Sequence, residues 1–286
     1  MKKRLVVIDA HALGHTIKHS LGELTHDDLQ VGIIYGFIFR VLFMARLFDT
    51  NRFCICWDSK TSKRKEIFPD YKKKPGELNE QEIYELSAVL SQFKILRTKV
   101  LPALGFQNNY IQEGMEGDDI VASLLFNYNL DEEEDKPVLI SSDNDFYQLL
   151  MYCDMYILRT KKIFTAEDFL DKYNMVPSQW KEVKALAGCS GDGVPGVPGC
   201  GQTKAQSYIE HKLVKGAIFD RIITNPELIQ LTRRLTTLPF EGTKAIYYKE
   251  DEFDIDKIIN VLDAYDMRSL TSGKNYNTWT EEFCGN

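Results

Sequence analysis

Three short apolar runs, each followed by an aspartate, constrain this chain more than any other feature. They are Leu5-Val6-Val7-Ile8-Asp9, Phe53-Cys54-Ile55-Cys56-Trp57-Asp58 and Val138-Leu139-Ile140-Ser141-Ser142-Asp143. Such runs, with few polar residues inside them, read as strands buried on both faces, the signature of a parallel sheet. Helical patterns fill the gaps at about residues 29–49, 78–101 and 117–129, so the alternation is βαβα and the fold class α/β: a mostly parallel central sheet flanked by helices. An edge strand is expected over Met155 to Leu158. Thr165-Ala166-Glu167-Asp168 then matches a capping box ahead of a helix through Tyr173. From Val176 the chain reads as helical, broken by the Gly/Pro run Gly191 to Gly201. The spacing therefore predicts an α/β domain over 1–175 and a C-terminal α-helical lobe over 176–286.

With 286 residues, 44% hydrophobic and 27% charged, the chain can bury a substantial core without a disulfide or structural metal. Met1-Lys2-Lys3-Arg4 before Leu5 mimics an export signal, but the apolar run stops at Asp9. Arg40 and Arg46 interrupt the apolar residues 31–48, which read as a buried helix and not as a membrane span. Six cysteines form no CxxC pair and no secreted spacing, as expected of reduced thiols in a cytoplasm. The acidic stretches 131–135 and 250–256 read as solvated loops.

In open α/β sheets ligands bind beyond the carboxyl ends of the strands, where Asp9, Asp58 and Asp143 would all point. Asp145 follows two residues after Asp143, and Glu116-Gly117-Asp118-Asp119 opens a helix whose positive dipole end favours acids. One strand-terminal Asp is most often a cap, and one acidic helix start most often complements the dipole. Several converging on one sheet edge repel each other and need cations. The donors are carboxylate oxygens without paired His or Cys, which suits Mg²⁺, with Mn²⁺ as a substitute, and not zinc. Two such ions about 4 Å apart form a clamp for in-line attack of water on a phosphodiester.

The net charge of −7 argues against a nucleic-acid partner until its distribution is read. Between Asp58 and Lys74 seven basic residues face three acidic ones, an electropositive island. Within it Phe68 and Tyr71 lie among Arg64, Lys72, Lys73 and Lys74, so bases could stack on rings while phosphates pair with cations. Farther on, Gly188 to Gly201 precedes a helix over 202–212. Gly196-Val197-Pro198-Gly199-Cys200-Gly201 with Thr203 and Lys204 is a close match to a DNA-binding helix-hairpin-helix spanning about 185–212, whose amides would hold a phosphate.

Taken in order, Val-Ile-Asp9, Trp-Asp58, Tyr71-Lys72, Gly114-Met-Glu116-Gly-Asp118-Asp119, Ser-Ser-Asp143-Asn-Asp145-Phe and Gly191-Asp192-Gly-Val-Pro-Gly resemble the flap endonuclease and 5′ to 3′ exonuclease family, closest to its bacteriophage members. The resemblance runs from Leu5 to about Lys212. It implies a core with two divalent ions, a helical arch or clamp over about 59–104, and a hairpin that grips duplex DNA, with K⁺ bound there in some members. It implies a cytoplasmic, monomeric enzyme in a bacterium or phage-infected cell that cuts DNA near a 5′ flap or branch, trims 5′ ends and removes RNA primers from RNA/DNA hybrids during replication. By motif position, Asp9, Asp58, Glu116 and Asp118 would serve the first metal, and Asp119, Asp143, Asp145 and Asp192 the second or its surroundings. Lys72, with Arg64 nearby, would stabilise charge at the scissile phosphate, and Tyr71 would stack on a base.

Three positions depart from that pattern. The family's Gly-Asp-x-x-Asp is here Gly188-Cys189-Ser190-Gly191-Asp192, so the first Asp is a thiol. The arginine after Tyr-Lys-x-x is Pro75, leaving Lys73 or Lys74. The arginine expected after Asp9 is Thr16, with Lys18 nearby. Competing readings are a non-catalytic binder of branched DNA and a metal-dependent ribonuclease. A dehalogenase-type phosphatase fits less well, because Ala10-His11 lacks the second Asp of a DxD nucleophile.

Overall fold

The computed structural model describes residues 3–21, 24–27, 29–73, 76–77, 79–128 and 135–285. Lys74, Pro75 and most of the acidic stretch from Asp131 lie outside them. The chain runs β1 (Val6–Asp9), α1 (Ala10–Leu21), a ribbon of β2 (Thr25–His26) and β3 (Leu29–Gln30), α2 (Gly32–Phe48), β4 (Phe53–Trp57), α3 (Arg64–Ile67), α4 (Glu80–Ile95), α5 (Leu101–Leu104), β5 (Asn109–Ile111), α6 (Gly117–Asn127) and β6 (Val138–Ser141). After these come β7 (Asp154–Ile157), β8 (Lys162–Phe164), α7 (Ala166–Tyr173), α8 (Trp180–Ala187), α9 (Gln202–Ile209), α10 (Ala217–Thr224), α11 (Pro226–Thr236), α12 (Ile255–Asp263) and α13 (Gly273–Thr278).

All three apolar runs form strands buried along their whole length, and they pair side by side in parallel. The sheet order is β5-β4-β1-β6-β7-β8, parallel except for β8. After β1 the chain goes to β4 on one side and later to β6 on the other, so the crevice beside β1 is a topological switch point. Because Asp9 pairs with Cys56 and Ile8 with Ile140, the polar residues that follow all three strands emerge at one rim.

Successive β1 residues face opposite ways, and each face has its own core. Val6 and Ile8 pack with α1, α2 and α4, whereas Leu5 and Val7 pack with α6, α8 and Phe169. Helix α2 ends at Asp49, in the left-handed region (φ 50°). Helix α4 opens with a reciprocal cap: Asn79 Oδ1 accepts from Glu82 N and Glu82 Oε2 from Asn79 N, both at 2.9 Å. The Thr165/Asp168 capping box forms as the spacing predicts.

Two expectations are corrected. The strand at 155–158 is not an edge, because Lys162–Phe164 pairs antiparallel outside it, and Asn109–Ile111 adds a strand at the other side. Both missed strands are three residues long, too short for a period to show. Beyond Phe164 no strand occurs among the described residues. The helices after 176 do not pack as one body apart from the sheet. Trp180, Val183 and Leu186 join the core under one face, while Ile258, Leu262, Trp279 and Phe283 join the core under the other. Among the described residues no helix is long and apolar enough to cross a membrane.

Candidate metal centre

Asp9, the last residue of β1, is almost buried. Its carboxylate accepts from Ala12 N at 3.0 Å and from Ser141 Oγ at 3.1 Å, bonds that fix it against the ends of α1 and β6. Asp58 follows β4, and its Oδ1 accepts from Gly117 N at 2.6 Å, at the first turn of α6. A Cβ at Gly117 would lie 3.0 Å from that oxygen, so glycine is what lets the strand-end acid reach the helix N-terminus. Asp143 Oδ1 accepts from Asp145 N at 2.8 Å and caps a 3₁₀ turn.

Burial pushes the Asp9 carboxyl up to about 7, with the Asp58 and Asp143 charges adding to it. Burial, followed by Asp9, Asp143 and Asp58, raises Asp118 well above its ordinary value. Asp143 is raised by burial and by Asp145. These four acids thus share one field and cannot all ionise cheaply without a cation. All their donors are carboxylate oxygens, which fits a hard divalent ion.

Glu116 sits between cations. Its Oε2 accepts from Tyr71 Oη and from Lys72 Nζ, each at 2.8 Å, and lies 3.8 Å from Arg64 Nη1. Burial pushes its carboxyl up, but Lys72 and Arg64 outweigh that and hold it below the ordinary value. Burial likewise opposes the charge on Lys72, and Glu116 and Asp192 outweigh it, keeping the ammonium protonated. Lys72 lies in the left-handed region (φ 50°), with its N–H bonded to Asp192 O at 2.8 Å.

Three expectations change here. Asp119 is fully buried, and its oxygens are taken by Arg64 Nη1 and Nη2 at 2.6 and 2.7 Å, Glu116 N at 3.0 Å and Phe240 N at 2.8 Å. Such a carboxylate has no lone pair left for a metal, so Asp119 braces the site. Arg64, 2% exposed, also donates Nε to Leu235 O at 2.9 Å, so it ties α3 to α6 and α11 and does not face a phosphate. Tyr71, 2% exposed, packs with Val194 and Leu235 and has no face open to a base. Helical spacing gave no sign of this, because the partners lie far apart in the chain.

The remaining candidates divide. Asp145 pairs with Lys184 of α8, and its Oδ2 lies 3.9 Å from Cys189 Sγ. Asp192 Oδ2 lies 3.5 Å from the same sulfur. These three place one ligand atom each within 4.8 Å of one another, and no other trio of His, Cys, Asp or Glu does so among the described residues. Burial, then Asp145 and Asp192, pushes the Cys189 thiol up to about 12. Lys18 is paired with Glu85 of α4 at 3.1 Å and Lys73 with Asp70 at 2.9 Å. Gly188 and Gly196 serve the hairpin itself: a Cβ on Gly196 would lie 2.2 Å from Ala187 O and one on Gly188 2.5 Å from Gly196 N. Gly199 is in the left-handed region (φ 79°). Gly201, Thr203 and Lys204 at the start of α9 are exposed.

Residues 4–174 match the model of the 5′-3′ exonuclease N-terminal resolvase-like domain. The chain belongs to that family. A 5′-3′ exonuclease of Halalkalibacterium halodurans is 27% identical over 233 residues, 79% of this chain and 72% of the relative. The thermostable DNA polymerase I of Thermus aquaticus is 26% identical over 94% of this chain, which spans only 33% of the polymerase. Among solved structures, bacteriophage T5 5′-exonuclease with divalent metal (zinc) superposes with a TM-score of 0.69 at 20% identity, covering 94% of this chain and all of that one. Flap endonuclease-1 of Methanococcus jannaschii gives 0.55 at 14% identity, over 98% and 93%. These likenesses extend the family fold past residue 174, over α8 to α13.

Family membership does not reveal four supports of the rim. Ser141 and Gly117 position Asp9 and Asp58. His11 Nδ1 accepts the Asp58 N–H at 3.1 Å. Lys184 bonds Asp145. Only Gly117 carried a sequence signal, as the small residue inside an acidic helix start.

The raised Asp9 carboxyl makes a pH prediction for the metal-free protein. Its pKa is about 7 folded and near 3.8 unfolded, so between those values the folded state holds the extra proton. Stability therefore falls as pH rises from about 4 to about 7. In chelator, the urea midpoint should be lower at about pH 8 than at about pH 5, and Mg²⁺ should restore part of the loss at the higher pH. A higher midpoint at pH 8 without metal would contradict the charge burial.

Proposed function

We propose that the chain is a Mg²⁺-dependent, structure-specific 5′ nuclease that hydrolyses DNA near a 5′ flap or branch, trims 5′ ends, and accepts RNA at the 5′ end of a primer on a DNA template. The observation that carries this reading is the rim where the charges of Asp58 and Asp143 add to burial in raising the Asp9 and Asp118 carboxyls, beside the Lys72 ammonium. Divalent ions held there would lower the pKa of a bound water and offset the charge of the phosphodiester.

The chain's own residues supply the rest. Asp9 and Asp58 are aimed by bonds to Ala12 N, Ser141 Oγ and Gly117 N, so they are ordered before anything binds. Lys72, fixed by Glu116, places a positive charge at the open side of the rim, where a phosphate would come to rest. Glu116 is held in turn by Tyr71. The Arg64–Asp119 pair sets the angle of α6 and with it the aim of Asp118. At the other end, the start of α9 with Thr203 and Lys204 offers amides and a cation to duplex backbone, and the Gly188 to Gly201 hairpin is where K⁺ would assist.

The test is a labelled 5′-flap duplex incubated with Mg²⁺, with Mn²⁺ and with chelator. Cleavage near the junction should appear only with metal and be lost in Asp143→Ala. Equal cutting in chelator would refute the mechanism, and tight flap binding without any metal-dependent cut would favour a non-catalytic binder.

A further inference from the structure

We propose that the position formed by Asp145, Cys189 and Asp192 selects a thiophilic divalent ion such as Zn²⁺ over Mg²⁺, so that the two ends of the acidic rim take different metals. This rests on the rim being a divalent-ion site and narrows it at one end, where the donors do not fit the hard ion that suits Asp9 and Asp58.

The donor set is the first argument. Both aspartates have one oxygen committed to a lysine: Asp145 Oδ1 to Lys184, and Asp192 Oδ1 to Lys72 at 3.6 Å. Their free Oδ2 atoms both face Cys189 Sγ, at 3.9 and 3.5 Å. What remains is one sulfur and two oxygens from the protein. Mg²⁺ requires six oxygens in a near-ideal octahedron and gains little from sulfur. Zn²⁺ is satisfied by three protein donors with a fourth position open.

Spacing gives the second argument. Zinc bonds of about 2.3 Å to sulfur and 2.1 Å to oxygen place tetrahedral neighbours about 3.6 Å apart. The observed sulfur–oxygen separations bracket that figure. Charge agrees: with Lys184 balancing Asp145 and Lys72 balancing Glu116, its nearer partner at 2.8 Å, a Cys189 thiolate and Asp192 supply the two negative charges that neutralise one divalent ion. On coordination the thiol proton passes to solvent.

The experiment titrates the full chain with Co²⁺, a coloured stand-in for zinc, and follows the sulfur-to-metal charge-transfer band in the near ultraviolet. Wild type should develop the band to one equivalent, and Cys189→Ser, which keeps the other five cysteines, should not. By calorimetry, the preference for Zn²⁺ over Mg²⁺ should fall at least about tenfold in Cys189→Asp, which restores an oxygen donor. Identical spectra for wild type and Cys189→Ser, or an unchanged metal preference in Cys189→Asp, would overturn the assignment. The readout is separate from catalysis. A band without Mg²⁺-dependent flap cleavage supports this site while the nuclease reading fails, and cleavage without the band does the reverse.

Discussion

Arg64→Leu should lower the stability of the protein by about 3–5 kcal/mol, because it leaves the fully buried Asp119 carboxylate without its bidentate partner. Leu235 O would lose its donor as well. Chemical denaturation gives the measurement, and the informative control is the double variant Arg64→Leu/Asp119→Leu. Removing both charges together should recover most of the loss, since an apolar pair leaves no unpaired charge, only the Phe240 and Glu116 amides and the Leu235 carbonyl without their partners. A single variant as stable as wild type, but slow at cleavage, would return Arg64 to the phosphate-contacting role that its neighbourhood of cations suggests.

Asp9→Asn should act in opposite directions on activity and stability. Its amide keeps the shape, with an oxygen for Ala12 N and a donor for Ser141 Oγ, and removes the charge that burial and Asp58 make costly. In chelator near pH 8 the variant should be more stable than wild type by about 2 kcal/mol. Its cleavage rate should fall about 10³-fold, because a ligand worth several kcal/mol to the bound metals is gone. Parallel melts and single-turnover cleavage would show the two signs. A variant that is both slower and less stable would mean that Asp9 is held by its hydrogen bonds alone.

Much of this site is legible in the residues alone, for a physical reason. A strand buried on both faces can admit a carboxylate only where it leaves the sheet, so three apolar runs ending in Asp fix both the architecture and the rim. The helix start at Glu116 is legible for a similar reason, since acids collect where amides are free. What stays hidden depends on meetings across sequence. That Asp119 faces inward to Arg64 while Asp118 faces the rim is decided by the rotation of α6, which the pattern Glu-Gly-Asp-Asp does not report. Tyr71 looked open to a base because its neighbours are lysines, yet the small cluster with Val194 and Leu235 swallows its ring. Lys184 lies on a helix whose sequence gives no hint that one of its cations points inward.

The pairing of residues 282 and 283 with the start of the sheet carries a consequence of another kind. Phe283 packs against Phe53 and Phe106, and Lys3 Nζ meets Glu282 at 2.8 Å, so residues 282 and 283 complete the surroundings of the first strand. A ribosome would therefore finish every acid of the rim long before the hydrophobic seat beneath it could close. Until then the nascent polypeptide would leave bare the Phe53 and Phe106 rings that Phe283 covers in the fold.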